Sequence, residues 1–170
     1  MSNLQAREAL ERAKRVFLDR PSAARKPNAM ATAVWRDGLR CEVAGPGGER
    51  AVTDMPEPMG GRGAGSNPGW LLRASMASCA ATAIAMRAAM LRIELRSLEV
   101  TVASESDARG LVGIAGIPTA LDGIRMTIKI GADSVPEPQL RELAAWGEAH
   151  SAVSCTLRER PQVAVEIAVV

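Results

Sequence analysis

Apolar residues recur at two spacings along this chain, near 3.6 in some stretches and near 2 in others. Over residues 3–18, Leu4, Leu10, Ala13 and Phe17 follow the helical period among charged neighbours, which predicts an amphipathic helix. Pro21 and Pro27 then bracket a basic linker, so residues 1–28 read as an N-terminal arm that docks on the domain or on a partner subunit. Residues 31–35, 40–43 and 50–53 read as short strands, divided by Asp37-Gly38 and by the Gly-Pro-Gly-Gly run at 45–48, both hairpin-type turn signals. A proline- and glycine-rich loop follows at 55–66.

A long helix is expected from Pro68 to Arg92. Asn67 or Ser66 can cap it, and Pro68 suits the first helical position, where its missing N–H costs nothing. It would run for about 37 Å. Ala74, Ala77, Ala80, Ala81, Ala83, Ala85, Ala88 and Ala89 admit close neighbours on more than one side. A helix apolar nearly all round is buried, and in a chain of 170 residues a partner subunit is the expected source of cover.

Beyond it, residues 97–104 and 124–130 alternate as strands do, with a further strand candidate at 110–117. A second helix fits 136–149, with Leu140, Leu143 and Ala144 on one face and Glu137–Arg141 as an i,i+4 pair. A helical turn fits 151–157. Pro161 ends it, and 163–169 alternates as a final strand. The order β-β-β-α-β-β-α-β predicts an α+β fold with antiparallel or mixed sheets, in one domain spanning 29–170.

Composition narrows the function. With 47% hydrophobic and 24% charged residues the chain is an ordinary soluble globular domain. A net charge of +2, scattered basic residues, no Tyr and Phe17 as the one Phe argue against a nucleic-acid partner. Arg73 and Arg87 interrupt the longest apolar stretch, which favours a core helix over a membrane span. Cys41, Cys79 and Cys155 form no C-x-x-C, and His150 is the sole histidine, so neither a metal site nor any other cofactor is expected. The charged N-terminus lacks the apolar core of a signal peptide, which predicts a cytoplasmic protein with reduced thiols.

Several residues are candidates for chemistry. The glycines at 60–65 precede a helix and could cradle a phosphate, yet neither G-x-x-x-x-G-K-[ST] nor G-x-G-x-x-G is present, so a structural loop is expected. Cys41 reads as a packing residue. Cys79 lies about three turns inside the long helix, where that helix's own dipole offers little help. A low thiol pKa there calls for a nearby cation. It is either core filler or a nucleophile. His150 and Ser151 point about 100° apart if helical and make no acid–base pair; Ser151 is better placed to cap the last helix. Met55, Met59, Met76, Met86 and Met90 can line a pliable apolar pocket or fill the core.

Residues 60–79, GGRGAGSNPGWLLRASMASC, resemble the signature of the OsmC/Ohr superfamily of organic hydroperoxide reductases. In that superfamily a glycine-rich loop, an [ST]-N-P turn and a small-residue run end in the peroxidatic cysteine. RIELRSLEVTVASESDARG at 92–110, HSAVSCTL at 150–157 and QVAVEIAVV at 162–170 follow in the family's order, so the resemblance covers about 31–170. It implies an intertwined homodimer, with sheets packed around the long buried central helix, and a thiol peroxidase of the oxidative-stress response. Its substrate would be a small organic hydroperoxide and its reductant an external thiol.

Carried across, Cys79 takes the peroxidatic position. Arg36, in Trp35-Arg36-Asp37-Gly38, best matches the arginine that stabilises the thiolate, with Arg40 and Arg62 as alternatives. Three departures stand out. Gly69 replaces the glutamate that orients that arginine in the Ohr branch, Ser151 replaces the resolving cysteine, and Ala152 replaces the proline after it. Cys155, one turn beyond Ser151 and about 6 Å along the same face, is the remaining candidate for a resolving thiol, although a disulfide needs close, well-aimed Cβ atoms. The departures also leave open a catalytically degenerate homologue that binds a small apolar ligand.

Overall fold

The computed structural model describes residues 3–170. The chain forms two compact units. One comprises residues up to Arg7, Ser75–Val102 and Met126–Val170; the other comprises Glu8–Ala74 and Ala103–Arg125.

The N-terminal helix α1 (Asn3–Asp19) forms where its periodicity predicts, but it buries no residue. Its Phe17 and Leu18 stay open to solvent. A short 3-10 turn, Pro21–Ala24, follows. Strands β1 (Thr32–Asp37), β2 (Arg40–Ala44) and β3 (Arg50–Thr53) make an antiparallel meander with Thr32 opposite Ala44 and Cys41 opposite Thr53. Gly38 takes a positive φ of 51° at the β1–β2 turn, as an Asp-Gly hairpin requires.

Helix α2 (Pro68–Met90) begins as its capping residues dictate. The Asn67 side-chain oxygen accepts the Trp70 N–H at 2.8 Å, so Asn67 rather than Ser66 is the cap. Its end is equally defined. Ile93 N–H donates to Ala88 O at 2.9 Å and Arg92 N–H to Ala89 O at 3.2 Å, with Arg92 at φ 60°, which is a Schellman motif. Within the single chain α2 buries one stripe only, Met76, Ala80, Ile84 and Ala88 at i, i+4 spacing, together with Ala89. The remaining faces are half-buried or exposed.

Strands β4 (Leu95–Glu105) and β5 (Asp122–Ala132) pair in a second sheet. Helices α4 (Glu137–Ala149) and α5 (Ala152–Glu159) complete the fold. Ile84 and Ala88 of α2, Ile93, and Leu143 and Ala144 of α4 form the buried core, flanked by Leu98, Val100, Ile128 and Ile130 from β4 and β5. No helix of the described residues is long and apolar enough to cross a membrane.

Two expected strands are not formed. Residues 110–117 lie in α3 (Ala108–Leu111) and turns, because the Asp107 carboxylate caps the Arg109 N–H and Gly113 and Gly116 adopt φ of 80° and 79°, which a strand excludes. Residues 163–169 alternate as a strand should, yet no strand edge among the described residues pairs with them. Val163, Val165 and Ile167 are left 82%, 75% and 85% exposed.

Candidate active site

The position of Cys79 is fixed by how closely α4 presses on α2. A Cβ built on Gly147 would lie 2.8 Å from both the Cα and the N of Ile84, so only glycine admits this approach. Arg87 of α2 stands 4.6 Å over the Trp146 ring, and His150 stacks on Trp146 at 3.8 Å between centroids. These contacts anchor the end of α4. The chain then turns at Ser151 and starts α5 beside α2.

Ser151 is fully buried and caps α5, its Oγ accepting the Ser154 N–H at 3.4 Å. The first turn of α5 faces the partly buried Cys79 thiol. The Ser151 hydroxyl holds that thiol below its ordinary pKa, helped by the N–H of Val153 and less by that of Ala152, while burial pushes the other way. The acidifying groups are thus a hydroxyl and two N–H groups at a helix N-terminus, where the helix itself offers them no carbonyl and partial positive charge gathers. The sequence points to a nearby cation because the N-terminus of α2 lies about three turns away; the structure adds a second source of partial positive charge, the N-terminus of α5. The capping signal at Ser151 was readable in the chain, and its proximity to Cys79 was implied by the resemblance, which puts Ser151 at the resolving position. The Ser154 hydroxyl of the same turn is buried with no hydrogen-bond partner among the described residues.

The other expected residues fall as follows. His150 stacks on Trp146 and its Nδ1 lies 2.7 Å from the Trp146 carbonyl oxygen, so it serves packing rather than Ser151. The Cys155 thiol donates to Ala149 O at 3.2 Å and lies 3.8 Å from Arg158 Nη1, whose guanidinium also pairs with Glu148. All three cysteines are free.

Arg36 has a carboxylate partner despite the glycine at 69. Its Nε donates to Glu42 Oε2 at 3.0 Å across the β1–β2 hairpin, and Arg40 Nη2 donates to Glu42 Oε1 at 2.5 Å. Arg36 foremost, then Arg40, hold the Glu42 carboxyl below the usual range. Sequence reasoning missed Glu42; its signal was the opposite charge two residues from Arg40 on a predicted strand.

The glycine loop is built around Asp54, which is 2% exposed. Its carboxylate accepts the N–H groups of Met55 at 2.8 Å, Arg62 at 3.0 Å and Ala64 at 3.1 Å. A Cβ at Gly61 would overlap the Met55 carbonyl, which explains the glycine. The N–H groups that would cradle a phosphate are therefore spent on an internal anion, and the loop is structural.

A family model described as OsmC-like protein matches residues 61–166, more than half of the chain, so the chain belongs to the OsmC family. Solved structures agree on the fold. The OsmC-like protein of Mycoplasma pneumoniae superposes with a TM-score of 0.65 at 16% identity, over 79% of this chain and 89% of that one. The organic hydroperoxide resistance protein OsmC of Legionella pneumophila gives 0.55 at 21% identity, over 79% and 91%. The organic hydroperoxide resistance protein OhrB of Bacillus subtilis gives 0.52 at 21% identity, over 78% and 91%. No curated protein sequence matches the chain.

Proposed function

We propose that this OsmC family member is a cysteine-dependent reductase of small organic hydroperoxides, with Cys79 as the nucleophile. The observation that carries this is the acidified thiol at the α5 N-terminus, since the thiolate is the reactive form. The Cys79 thiolate attacks the distal oxygen of ROOH. The S–O bond forms as the O–O bond breaks, the departing alkoxide takes up a proton and leaves as ROH, and Cys79 is left as a sulfenic acid. With serine at 151, an external thiol attacks that sulfur and releases water. A second external thiol then displaces the mixed disulfide, restoring Cys79 and leaving the reductant oxidised. By the family resemblance, Arg36, which pairs with Glu42, is the guanidinium proposed to stabilise the thiolate.

We further propose a homodimer, in which a second copy covers the open faces of α2 and the exposed apolar residues at 163–170. The free thiols suit a reducing cytoplasm. A second reading, a family member that binds an apolar ligand without turnover, draws on Gly69 and Ser151. Stopped-flow reduction of cumene hydroperoxide separates the two. Consumption that vanishes in Cys79→Ser, with a sulfenic acid on Cys79 by mass spectrometry, supports the reductase. No Cys79-dependent consumption supports the binding protein.

A further inference from the structure

A cavity of about 400 Å³ lies in the unit formed by Glu8–Ala74 and Ala103–Arg125, and Cys79 is not among its lining residues. Its apolar wall includes Met55, Met59, Leu111 and Leu121, while Gly69 and Arg73 come from the first turns of α2. The Arg73 guanidinium donates to the Ser104 hydroxyl at 3.2 Å, a neutral partner. Asp107 is the one acid lining the cavity, and its carboxylate is committed elsewhere. It accepts from Arg109 Nε at 3.0 and 3.1 Å and from the Arg109 backbone N–H at 2.9 Å.

Among the described residues no carboxylate pairs with Arg73, so a half-buried positive charge faces a mainly apolar cavity, where an anion would be favoured. Gly69 keeps the space beside it open. A Cβ at Gly69 would come within 3.6 Å of Arg73 Nη1 and 3.7 Å of Leu121 Cδ1, so any side chain there would enter the gap between the charge and the apolar wall. The positive end of α2 adds to the attraction for an anion.

We propose that this cavity binds a small amphipathic carboxylate, its head group paired with Arg73 beside Gly69 and its chain between Met55, Met59, Leu111 and Leu121.

Calorimetric titration of the full chain with octanoate tests it, with octanol and octyl phosphate as parallel probes. Octanoate is expected to bind at least about tenfold more tightly than octanol, as a charge-assisted guanidinium pair requires. Arg73→Gln is expected to abolish that preference, and Gly69→Glu to weaken octanoate about tenfold by placing its own carboxylate on Arg73. Cys79→Ser is expected to bind octanoate as the wild type does, which keeps this result separate from peroxide turnover. Equal binding of octanoate and octanol, a preference for octyl phosphate, or unchanged octanoate affinity in folded Gly69→Glu would overturn the proposal. Should Arg73→Gln fail to fold, the Gly69→Glu comparison decides alone.

Discussion

The Ser151 hydroxyl and the Cys79 thiol face each other where the N-terminus of α5 meets α2. Ser151 acts twice there, capping α5 through Ser154 N–H and holding the Cys79 thiol below its ordinary pKa. Ser151→Ala should raise the Cys79 pKa and cost about 1 kcal/mol of stability through the lost cap. The two effects are read separately, by the pH dependence of thiolate absorbance and by urea unfolding. Because the folded thiol is held below its unfolded pKa, its contribution to stability is complete above about pH 8.5. It is lost as pH falls through the lowered folded value. In Ser151→Ala that pH-dependent part of stability should shrink.

The same adjacency predicts the outcome of restoring a thiol. Ser151→Cys should close a disulfide with Cys79 on treatment with one equivalent of cumene hydroperoxide, seen as loss of two hydrogens in the intact mass. A stable sulfenic acid with two free thiols remaining would show that position 151 does not reach the sulfur.

Gly147→Ala should destabilise the fold by about 2–3 kcal/mol, since the new methyl meets the Ile84 Cα and N, which cannot turn away, as well as its Cγ1. Chemical denaturation measures it. The variant should also slow Cys79 alkylation, because the α4–α5 corner that presents Ser151 must shift.

At the far end of α2, Arg92 closes the helix with a left-handed conformation that an arginine adopts at a cost. Arg92→Gly should therefore stabilise the protein by about 0.5–1 kcal/mol, a gain in Tm with no change in Cys79 reactivity. A loss of stability would mean that the side chain makes a contact worth more than the strain.

Helices α1, α2 and α4 could be read from the chain almost to the residue, because Asn67-Pro68 and the i, i+4 apolar spacing are local signals. The hairpin at Asp37-Gly38 was equally local. Residues 110–117 misled, since Val112, Ile114 and Ile117 suggest a strand until the positive φ of Gly113 and Gly116 is known. Residues 163–169 carry a strand pattern with no pairing edge among the described residues. For the site, Cys79 and the cap at Ser151 were each legible, and the resemblance, with Ser151 at the resolving position, implied their meeting; what no local pattern announced is the close approach of Gly147 to Ile84 across more than sixty residues of sequence. Glu42 on Arg36 was likewise a cross-strand relationship that no local motif announced.

The asymmetry at Glu42 is testable. Glu42→Gln removes the negative charge that holds Arg36 and Arg40, and because both ion pairs are solvent-exposed it should leave stability nearly unchanged. If Arg36 serves the thiolate, the same substitution should lower the rate of hydroperoxide reduction well beyond its effect on folding. A rate equal to wild type would leave Glu42 a surface residue only.

The most direct test is the pH dependence of Cys79 alkylation by iodoacetamide, in a protein whose Cys41 and Cys155 are changed to serine. The midpoint of the rate profile should lie clearly below the value of an unperturbed thiol, about 8.5, and should move up in the Ser151→Ala background. A midpoint at or above 8.5 that ignores Ser151 would show that the α5 N-terminus does not activate this sulfur.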